Sequence, residues 1–316
     1  MRILVLGAGA VGGYFGGRLA QRGSNVTFLV RPKRAEALAR EGLRIRSRFG
    51  DWRGEVTCVT QDRLKPDYHV VILTAKAFDL AAATEAIAPA MGTPPHGNGA
   101  LVLPLLNGMD HLALLDRRFG RERVLGGVAY IAATLAPEGE IRHLNDFHRL
   151  AFGPRAEGQQ AACNALAAEL KGANFEWKRL DAIEQAMWDK WVLLATLAGI
   201  TCLMRAPVGD VVATGAGEKL TRALLAESAA IAAAEGFSTP AGVLENYRAM
   251  LTQQGSPFTA SMLRDVESGG RTEGEHILGA LLARSRERGL PAPLLEVATT
   301  HLEAYAARRR RESGAT

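Results

Sequence analysis

The sequence predicts an α/β protein in which a doubly wound parallel sheet is followed by a separate, all-helical domain. Three observations support this fold class. Short runs of Val, Ile and Leu alternate with helical segments over roughly the first 150 residues, a pattern typical of a parallel sheet covered by helices on both faces. A glycine-rich turn joins the first apolar run to the first helix. From about Ala182 onward, Ala, Leu and Glu dominate and β-branched runs disappear, as expected for helices.

The apolar runs of the first domain define five candidate strands, with helices after the first three of them. The strands are Ile3–Leu6, Asn25–Val30, His69–Thr74, Ala100–Leu105 and Val124–Ala132, and the helices are Ala10–Arg22, Arg34–Glu41 and Ala77–Ala90. Two further runs, Ile141–Leu144 and His148–Phe152, are expected to form a hairpin-like end to this domain. Residues 92–99 are rich in Gly and Pro, which predicts a turn-rich surface loop.

Helical periodicity dominates the second domain. The predicted helices are Ile183–Ala198, Lys219–Ala234, Gly242–Gln253, Ala260–Glu267, Glu273–Glu287 and Pro293–Arg310. The change in character places the boundary between Pro154 and Asp181, and we divide the chain into domains 1–170 and 171–316. Exposed-looking Ala and Leu faces on these helices make a homodimer a hypothesis for this domain.

The strongest local signal is a GxGxxG motif directly after the first strand, where it opens the first helix. In such a motif one glycine permits the tight turn, one lets the backbone approach a pyrophosphate, and one lets helix and strand pack closely. The pyrophosphate then lies against the free amides of the helix N-terminus. The pattern predicts a Rossmann dinucleotide-binding domain, with the cofactor held by Gly7, Ala8, Gly9, Ala10, Val11 and Gly12.

The end of the second strand distinguishes between the two nicotinamide cofactors. NAD enzymes carry Asp or Glu there, whereas NADP enzymes carry Arg to bind the 2′-phosphate. This sequence has no carboxylate at that point but three cations, Arg31, Lys33 and Arg34. Arg31 can pair with a phosphate through its bidentate fork, which predicts NADP(H). Lys33 and Arg34 fit equally the charges of an ordinary helix start.

The composition excludes several other classes of function. Hydrophobic residues make up 47%, charged residues 22%, and the net charge is +5, as in ordinary globular proteins. Three widely spaced cysteines without a CxxC pair argue against zinc and against a disulfide scaffold, so we expect no metal. The first apolar run is too short for a secretion signal and no run of eighteen apolar residues occurs, so we expect no membrane span and a cytoplasmic location. The basic run Arg308–Arg311 is typical of a solvated helix end, and we expect no nucleic-acid partner.

Five stretches taken in order resemble the ketopantoate reductase (2-dehydropantoate 2-reductase) family over nearly the whole chain. They are Gly7–Gly12, Leu73–Lys76, Leu106–Met109, the segment around Lys190, and Ser261–Asp265 with Arg271–Glu273. The resemblance implies a Rossmann domain followed by a 6-phosphogluconate-dehydrogenase-like helical domain. It also implies that NADPH reduces ketopantoate to pantoate, in pantothenate and coenzyme A biosynthesis.

The same resemblance assigns roles near the cofactor to Lys76 and Asn107. Lys76 follows a strand at the edge where doubly wound folds bind ligands, and in the family this lysine helps to hold the cofactor. Asn107 lies near the nicotinamide in the family and helps to orient the catalytic lysine and the substrate. Taken alone, Lys76 fits a surface lysine and Asn107-Gly108 fits an ordinary turn.

Lys190 is the candidate catalytic residue. It lies in a strongly apolar helix, where a lone lysine is commonly a surface residue with a buried stem, and only the resemblance gives it a function. Reduction of a keto group creates an alkoxide, which a positive donor stabilises. The lysine would then deliver its proton as a general acid, and desolvation would lower its pKa and ease that transfer.

Glu273 and Ser261 complete the implied site as substrate-binding residues. Thr272 and Glu275 have capping-box spacing, so Glu273 also fits a carboxylate in the first turn of a helix. Asp265 shares a helix face with Ser261 and is expected to be structural.

The sequence also departs from the family pattern. Many members carry asparagines four and eight positions after the lysine, where this chain has Leu194 and Ala198. Losing two amide contacts favours a more apolar 2-oxo acid as an alternative substrate. A third reading is an inert NADP(H)-binding regulator, against which the joint presence of Lys190, Ser261 and Glu273 argues.

Overall fold

The structure is a computed structural model that describes residues 1–92 and 99–314. The chain forms two compact units, Met1–Leu106 with His111–Glu184, and Asn107–Asp110 with Gln185–Thr316. The division into domains 1–170 and 171–316 stays a prediction. Of the predicted loop at 92–99, residues 93–98 lie outside the described residues.

The first unit carries the strands found in the described part of the chain. They are β1 Arg2–Leu6, β2 Asn25–Leu29, β3 Leu43–Arg46, β4 Trp52–Gly54, β5 Thr57–Val59, β6 Val70–Leu73, β7 Leu101–Pro104, β8 Gly126–Tyr130, β9 Ala133–Leu135, β10 Ile141–His143, β11 Arg149–Gly153 and β12 Glu176–Arg179. Its helices are α1 Ala10–Gln21, α2 Pro32–Glu41, α3 Leu80–Met91, α4 Asp110–Phe119 and α5 Gln160–Leu170. The first residue of α4, Asp110, belongs to the second unit.

The central sheet confirms the predicted fold class. Its order is β5-β2-β1-β6-β7, and every neighbouring pair is parallel. The runs that predicted β1, β2, β6 and β7 lack alternation because both faces are covered, and Ile3, Leu4 and Val5 are each fully buried. β5 was not predicted, and the run Val124–Ala132, expected in this sheet, forms β8 in another sheet. The strand order reverses between β1 and β6, which is the point where doubly wound folds bind ligands.

The predicted hairpin at the end of the first domain is wrong. β10 pairs antiparallel with β9 and parallel with β3, within a sheet of order β4-β3-β10-β9. β11 instead pairs antiparallel with β8 and parallel with β12 in a third sheet. The apolar runs identified both strands correctly, but a run of apolar residues carries no information about its partner strand.

The second unit is all helical in its described part, as predicted. Its helices are α6 Ile183–Met204, α7 Val208–Val212, α8 Gly217–Ala234, α9 Ala241–Leu251, α10 Ser261–Glu267, α11 Ala280–Glu287 and α12 Pro293–Glu312, with a π-helical turn at Glu275–Gly279 before α11. The first two residues of α6 belong to the first unit. α6 is longer than predicted because the apolar pattern continues beyond Ala198, and the short α7 was not predicted.

By length and composition alone, α6 is long and apolar enough to cross a membrane, because its most apolar 18-residue stretch has a mean hydropathy of 1.3. However, 67% of that stretch is buried inside the structure. Trp191, Val192 and Ala195 are at most 1% exposed. Burial therefore accounts for the apolar composition of this helix, which is that of a core helix.

Candidate active site

The glycine-rich turn between β1 and α1 has the geometry that the motif predicts. Gly7 has a φ of +87°, a conformation that favours glycine, and its N–H donates to the Leu29 carbonyl at 2.9 Å. A Cβ on Gly12 would lie 2.6 Å from the Gly7 carbonyl oxygen and 3.2 Å from Val5 Cγ1. Gly12 therefore permits the close contact of helix and strand.

Gly9 differs from Gly12 because its Cβ position is open. A Cβ built there meets no protein atom within 4 Å, and Gly9 precedes the first residue of α1. The first turn of α1 contains no acidic residue, so its free N–H groups and the helix dipole favour an anion. These features fit a dinucleotide pyrophosphate, which Gly7, Ala8, Gly9 and the amides of Ala10 to Gly12 would hold.

The three segments predicted to bind the cofactor in the first unit each follow a strand that ends at the same edge of the central sheet. In the strand register, Leu6 at the end of β1 lies beside Leu29 of β2 and Leu73 of β6. The glycine turn, Arg31 and Lys76 follow these strand ends, and Arg31 and Lys76 are both exposed. The side chain of Thr74 donates to the Leu6 carbonyl at 2.8 Å. The structure thus brings together every cofactor segment predicted in the first unit.

The three cations at the start of α2 divide into two kinds. Arg31 and Lys33 are exposed, and neither forms an ion pair with a carboxylate of the described residues. Arg34 is partly buried, and its Nη2 donates to the carbonyl oxygens of Ala8 at 3.1 Å and Gly139 at 3.2 Å. Arg34 therefore ties α2 to the glycine turn, while Arg31 and Lys33 are available to a phosphate.

Lys190 and Asn107 meet within the second unit, although 83 positions separate them. Lys190 Nζ donates to Asn107 Oδ1 at 2.9 Å. An ammonium group has only donors, so this bond fixes the orientation of the amide. Asn107 presents its oxygen to the lysine, and its NH₂ group points elsewhere as a donor.

Two opposing electrostatic influences act on the Lys190 ammonium group. Burial lowers the pKa of Lys190 to about 8, and the Glu273 carboxylate opposes that shift. Glu273 is only 7% exposed. A buried ammonium with a pKa near neutrality can both hold a proton at physiological pH and give it up readily.

A π-helical turn lies immediately after Glu273. Residue 274 begins the helix, so Glu273 rather than Thr272 precedes it, and the expected Thr272–Glu275 capping box is not how this helix starts. Within the turn, the Ile277 carbonyl accepts a hydrogen bond from Trp191 Nε1 at 2.9 Å. Single π-helical turns are frequent at functional sites, and this one connects the glutamate segment to the residue next to Lys190.

The turn that carries Asn107 packs against the π-helical turn Glu275–Gly279. Gly108 has a φ of +78°, and a Cβ there would lie 3.1 Å from His276 Cδ2 and Nε2. Only glycine combines this conformation with this closeness. At the end of the stretch Asn107–Asp110, Asp110 Oδ1 forms an ion pair of 2.7 Å with Arg284 Nη2. Sequence reasoning missed Asp110 and Arg284, because nothing local distinguishes them from surface charges.

Ser261 and Asp265 lie on α10, a different element from those that carry Lys190, Asn107 and Glu273. Ser261 is the first residue of α10 and its side chain is exposed. No hydrogen bond or ion pair found in the described part of the chain connects it to Lys190 or Glu273. Asp265 is partly buried on the same short helix. The roles of both residues stay predictions.

The face of α6 that carries Lys190 is apolar in the next two turns. Leu194 is partly exposed and Ala198 is 3% exposed, one and two turns after the lysine. Across residues 1–92 and 99–314, no group of three or more His, Cys, Asp or Glu side chains is arranged to hold a metal ion. The polar side chains that the structure brings together here are Lys190, Asn107 and Glu273.

The sheet order and the glycine turn place the chain among the Rossmann-type dinucleotide-binding proteins with a helical second domain. Two family models match it, ketopantoate reductase PanE/ApbA over residues 3–157 and its C-terminal domain over residues 182–306. The chain belongs to the ketopantoate reductase family, and it is an oxidoreductase of that family.

Two curated relatives cover almost the whole chain. The uncharacterized oxidoreductase YkpB of Bacillus subtilis is 36% identical over 98% of this chain and 100% of its own length. The 2-dehydropantoate 2-reductase of Halobacterium salinarum is 28% identical over 93% of this chain and 95% of its own. The similarity therefore extends through both units.

Two solved structures have the same fold over nearly their full length. The PanE/ApbA family ketopantoate reductase from Ralstonia eutropha is 27% identical, with a TM-score of 0.86 over 98% of this chain and 100% of its own. A D-mandelate dehydrogenase with NADH and anilino(oxo)acetate also has a TM-score of 0.86, over 98% of this chain and 100% of its own, at 21% identity. This fold therefore occurs in proteins that act on different substrates.

Proposed function

We propose that this protein is an NADPH-dependent reductase of a small 2-oxo acid, with 2-dehydropantoate as its first candidate substrate. On this proposal it forms pantoate for pantothenate and coenzyme A biosynthesis in the cytoplasm. The observation that carries the proposal is the hydrogen bond from Lys190 Nζ to Asn107 Oδ1, beside Glu273, at a lysine whose pKa is lowered to about 8.

NADPH, when bound, supplies the hydride for the keto carbon. Lys190 holds a proton at Nζ and donates it to the keto oxygen as that oxygen becomes a hydroxyl group, which is general acid catalysis. Its positive charge also stabilises the oxygen while negative charge develops there. Asn107 orients Nζ through its Oδ1 and has its NH₂ group available to an oxygen of the substrate.

Glu273 and Ser261 have supporting roles in this proposal. The buried Glu273 carboxylate favours the protonated form of Lys190, so that the proton is present when substrate binds. Ser261, exposed at the start of α10, is proposed to donate to a substrate oxygen. Lys76 and the glycine turn are proposed to hold the cofactor, with Arg31 on its 2′-phosphate.

A second candidate is the reduction of a different, more apolar 2-oxo acid. Leu194 is partly exposed one turn after Lys190 on α6, and it offers no hydrogen bond to a hydroxyl group of a substrate. A site that lacks such a donor or acceptor discriminates poorly in favour of hydroxylated substrates. An inert regulator is disfavoured, because its fold would not require a buried lysine paired with an amide.

Steady-state oxidation of NADPH, with ketopantoate and then with a panel of aliphatic and aromatic 2-oxo acids, tests the proposal. We expect turnover with at least one of these acids, lost in Lys190→Ala and retained in Lys219→Ala, a matched change of an exposed lysine. Turnover of apolar acids but not of ketopantoate selects the second candidate. Tight NADPH binding without turnover of any acid would refute the reductase and leave the regulator.

We also propose that the protein is a homodimer formed through its helical unit. Exposed apolar side chains on this unit, Met204 at 40% and Val297 at 53%, are consistent with such a contact. Light scattering coupled to gel filtration at micromolar concentration measures the mass. A single species at the 33.8 kDa of one chain would refute the dimer.

A further inference from the structure

The segment that carries Asn107 belongs to the second unit, although the chain on both sides of it belongs to the first. Residues Asn107–Asp110 group with Gln185–Thr316, whereas Met1–Leu106 and His111–Glu184 form the other unit. These four residues therefore make specific contacts within the second unit, besides being joined to the first unit through the chain. The contacts are the Lys190–Asn107 hydrogen bond, the packing of Gly108 on His276, and the Asp110–Arg284 ion pair.

Arg284 is itself held in a fixed position. Its Nη1 donates to the Ala280 carbonyl at 3.0 Å, and its guanidinium lies 4.9 Å from the ring centroid of Trp191 and 5.8 Å from that of Trp188. Trp191 is 1% exposed and directly follows Lys190 in α6. An arginine that both stacks on aromatic rings and pairs with a carboxylate has little freedom to move.

We propose that Arg284 is a positioning residue that sets the distance between Lys190 and Asn107. It contacts the segment of Asn107 through Asp110 and the helix of Lys190 through Trp191, and it thereby fixes both ends of the 2.9 Å hydrogen bond. Arg284 does not touch the reacting atoms. This inference rests on the proposed function for its kinetic consequence, but the geometry that it describes is independent of the substrate.

The chain offers a closely matched control on the same helix. Arg286 forms an ion pair with Glu296, also at 2.7 Å, but both of those side chains are more than half exposed. Exposed pairs of this kind contribute little. Arg286→Met therefore removes the same atoms from the same element without touching the Asn107 segment.

We expect Arg284→Met to lower kcat about 10- to 100-fold, since a small displacement of a catalytic group has effects of that size. The dissociation constant for NADPH should stay unchanged, and Arg286→Met should behave as the wild type. Arg284→Lys, which keeps a cation opposite Asp110, should recover part of the lost kcat. Equal kcat in Arg284→Met and Arg286→Met would overturn the proposal.

A second readout does not need the enzyme to turn over. A limiting amount of acetic anhydride acetylates lysines in their neutral form. Peptide mass spectrometry then measures how much of Lys190 is acetylated at each pH, which gives a labelling curve for this one residue. Loss of the Asn107 acceptor removes a hydrogen bond to the charged form, so the Lys190 labelling curve should move to lower pH in Arg284→Met. An unmoved labelling curve in Arg284→Met would overturn the inference about Arg284. Failure of the wild type to reduce any 2-oxo acid would refute only the proposed function and would leave this labelling test valid.

If Arg284→Met does not fold, Asp110→Asn breaks the same ion pair at a 44% exposed side chain and should shift the labelling curve in the same direction.

Discussion

At the scale of single residues, the proposed chemistry of this protein depends on how Lys190 is desolvated. Removal of water from the ammonium lowers its pKa to about 8, and the nearby Glu273 carboxylate keeps it from falling further. The two influences oppose each other, because burial disfavours the charged ammonium whereas a neighbouring carboxylate favours it. Asn107 Oδ1 accepts a hydrogen bond from this ammonium group and so restricts its orientation.

The pH dependence of the reaction should report on this balance. We expect kcat for keto-acid reduction to fall above about pH 8, as Lys190 loses the proton that it must donate. In Glu273→Gln the opposing charge is gone, so the pKa of Lys190 drops and the falling limb moves to lower pH. Because Glu273 is also a proposed substrate contact, the position of the limb and not the size of KM is the informative quantity. A limb that stays in place in Glu273→Gln would contradict this account of Lys190.

Arg31 should decide between the two nicotinamide cofactors. Arg31→Ala removes charged hydrogen bonds to the 2′-phosphate, each worth about 1.5–3 kcal/mol, and should weaken NADPH binding about tenfold to a hundredfold. NADH, which lacks that phosphate, should bind as before. The control is Arg40→Ala, which removes an exposed arginine from the far end of α2, where it pairs with Glu41. Equal weakening of both cofactors in Arg31→Ala would show that this residue does not contact the phosphate.

At the scale of elements, the β1–α1 turn contains a glycine with a structural role, Gly12, and a glycine proposed to bind the cofactor, Gly9. Gly12 is in contact with its own protein, since a Cβ there would overlap the Thr74 hydroxyl and the Gly7 carbonyl. Gly9 faces open space with a φ of −87°, a conformation that alanine also adopts. The same substitution should therefore have different consequences at two positions of one motif.

We expect Gly12→Ala to lower the free energy of unfolding by about 1–3 kcal/mol, the usual cost of overpacking. Gly9→Ala should leave the free energy of unfolding within about 1 kcal/mol of the wild type, while binding of NADPH weakens because the methyl group occupies the path of the pyrophosphate. Chemical denaturation and fluorescence titration measure the two quantities. Unchanged NADPH affinity in Gly9→Ala would argue against the proposed cofactor site.

At the scale of the whole molecule, the first unit contains a buried polar network that the proposed reaction does not use. The Tyr14 hydroxyl and His148 Nδ1 form a hydrogen bond of 2.6 Å. The Phe49 ring stacks on the His148 ring, with 3.9 Å between the ring centroids. Burial lowers the pKa of His148 to about 4, with His143 and Arg18 acting in the same direction. His148 is 5% exposed, so the folded protein keeps this ring neutral where an unfolded chain would protonate it.

Stability should therefore fall in mild acid. Between about pH 6.5 and 4 the unfolded state binds a proton that the folded state excludes, so the free energy of unfolding decreases as the pH falls, by on the order of 2–3 kcal/mol. His148→Gln, which keeps an acceptor for Tyr14, should flatten that dependence. The exposed His69 provides the control substitution His69→Gln, which should leave the slope unchanged. Equal slopes in the wild type and in His148→Gln would assign acid sensitivity to other groups.

Much of the fold follows from short-range patterns in the chain. The β1–α1 turn, the buried parallel strands and the helical periodicity all depend on residues within a few positions of each other, whose stereochemistry and burial preferences act locally. The position of Arg31 could be predicted for the same reason, because its place after β2 can be counted along the sequence, while its role stays a prediction. The position of Lys76 after β6 was recognisable in the same way.

The remaining features depend on contacts between distant parts of the chain, and no local pattern encodes them. The partners of β10 and β11 were predicted wrongly because strand pairing is set by the packing of whole elements. Arg284 and Asp110 have the composition of ordinary surface charges, and they became interpretable only when folding brought α11 beside the Asn107 segment. The lowered pKa of Lys190 has the same origin, since desolvation is a property of the packed environment and not of a lysine in a sequence.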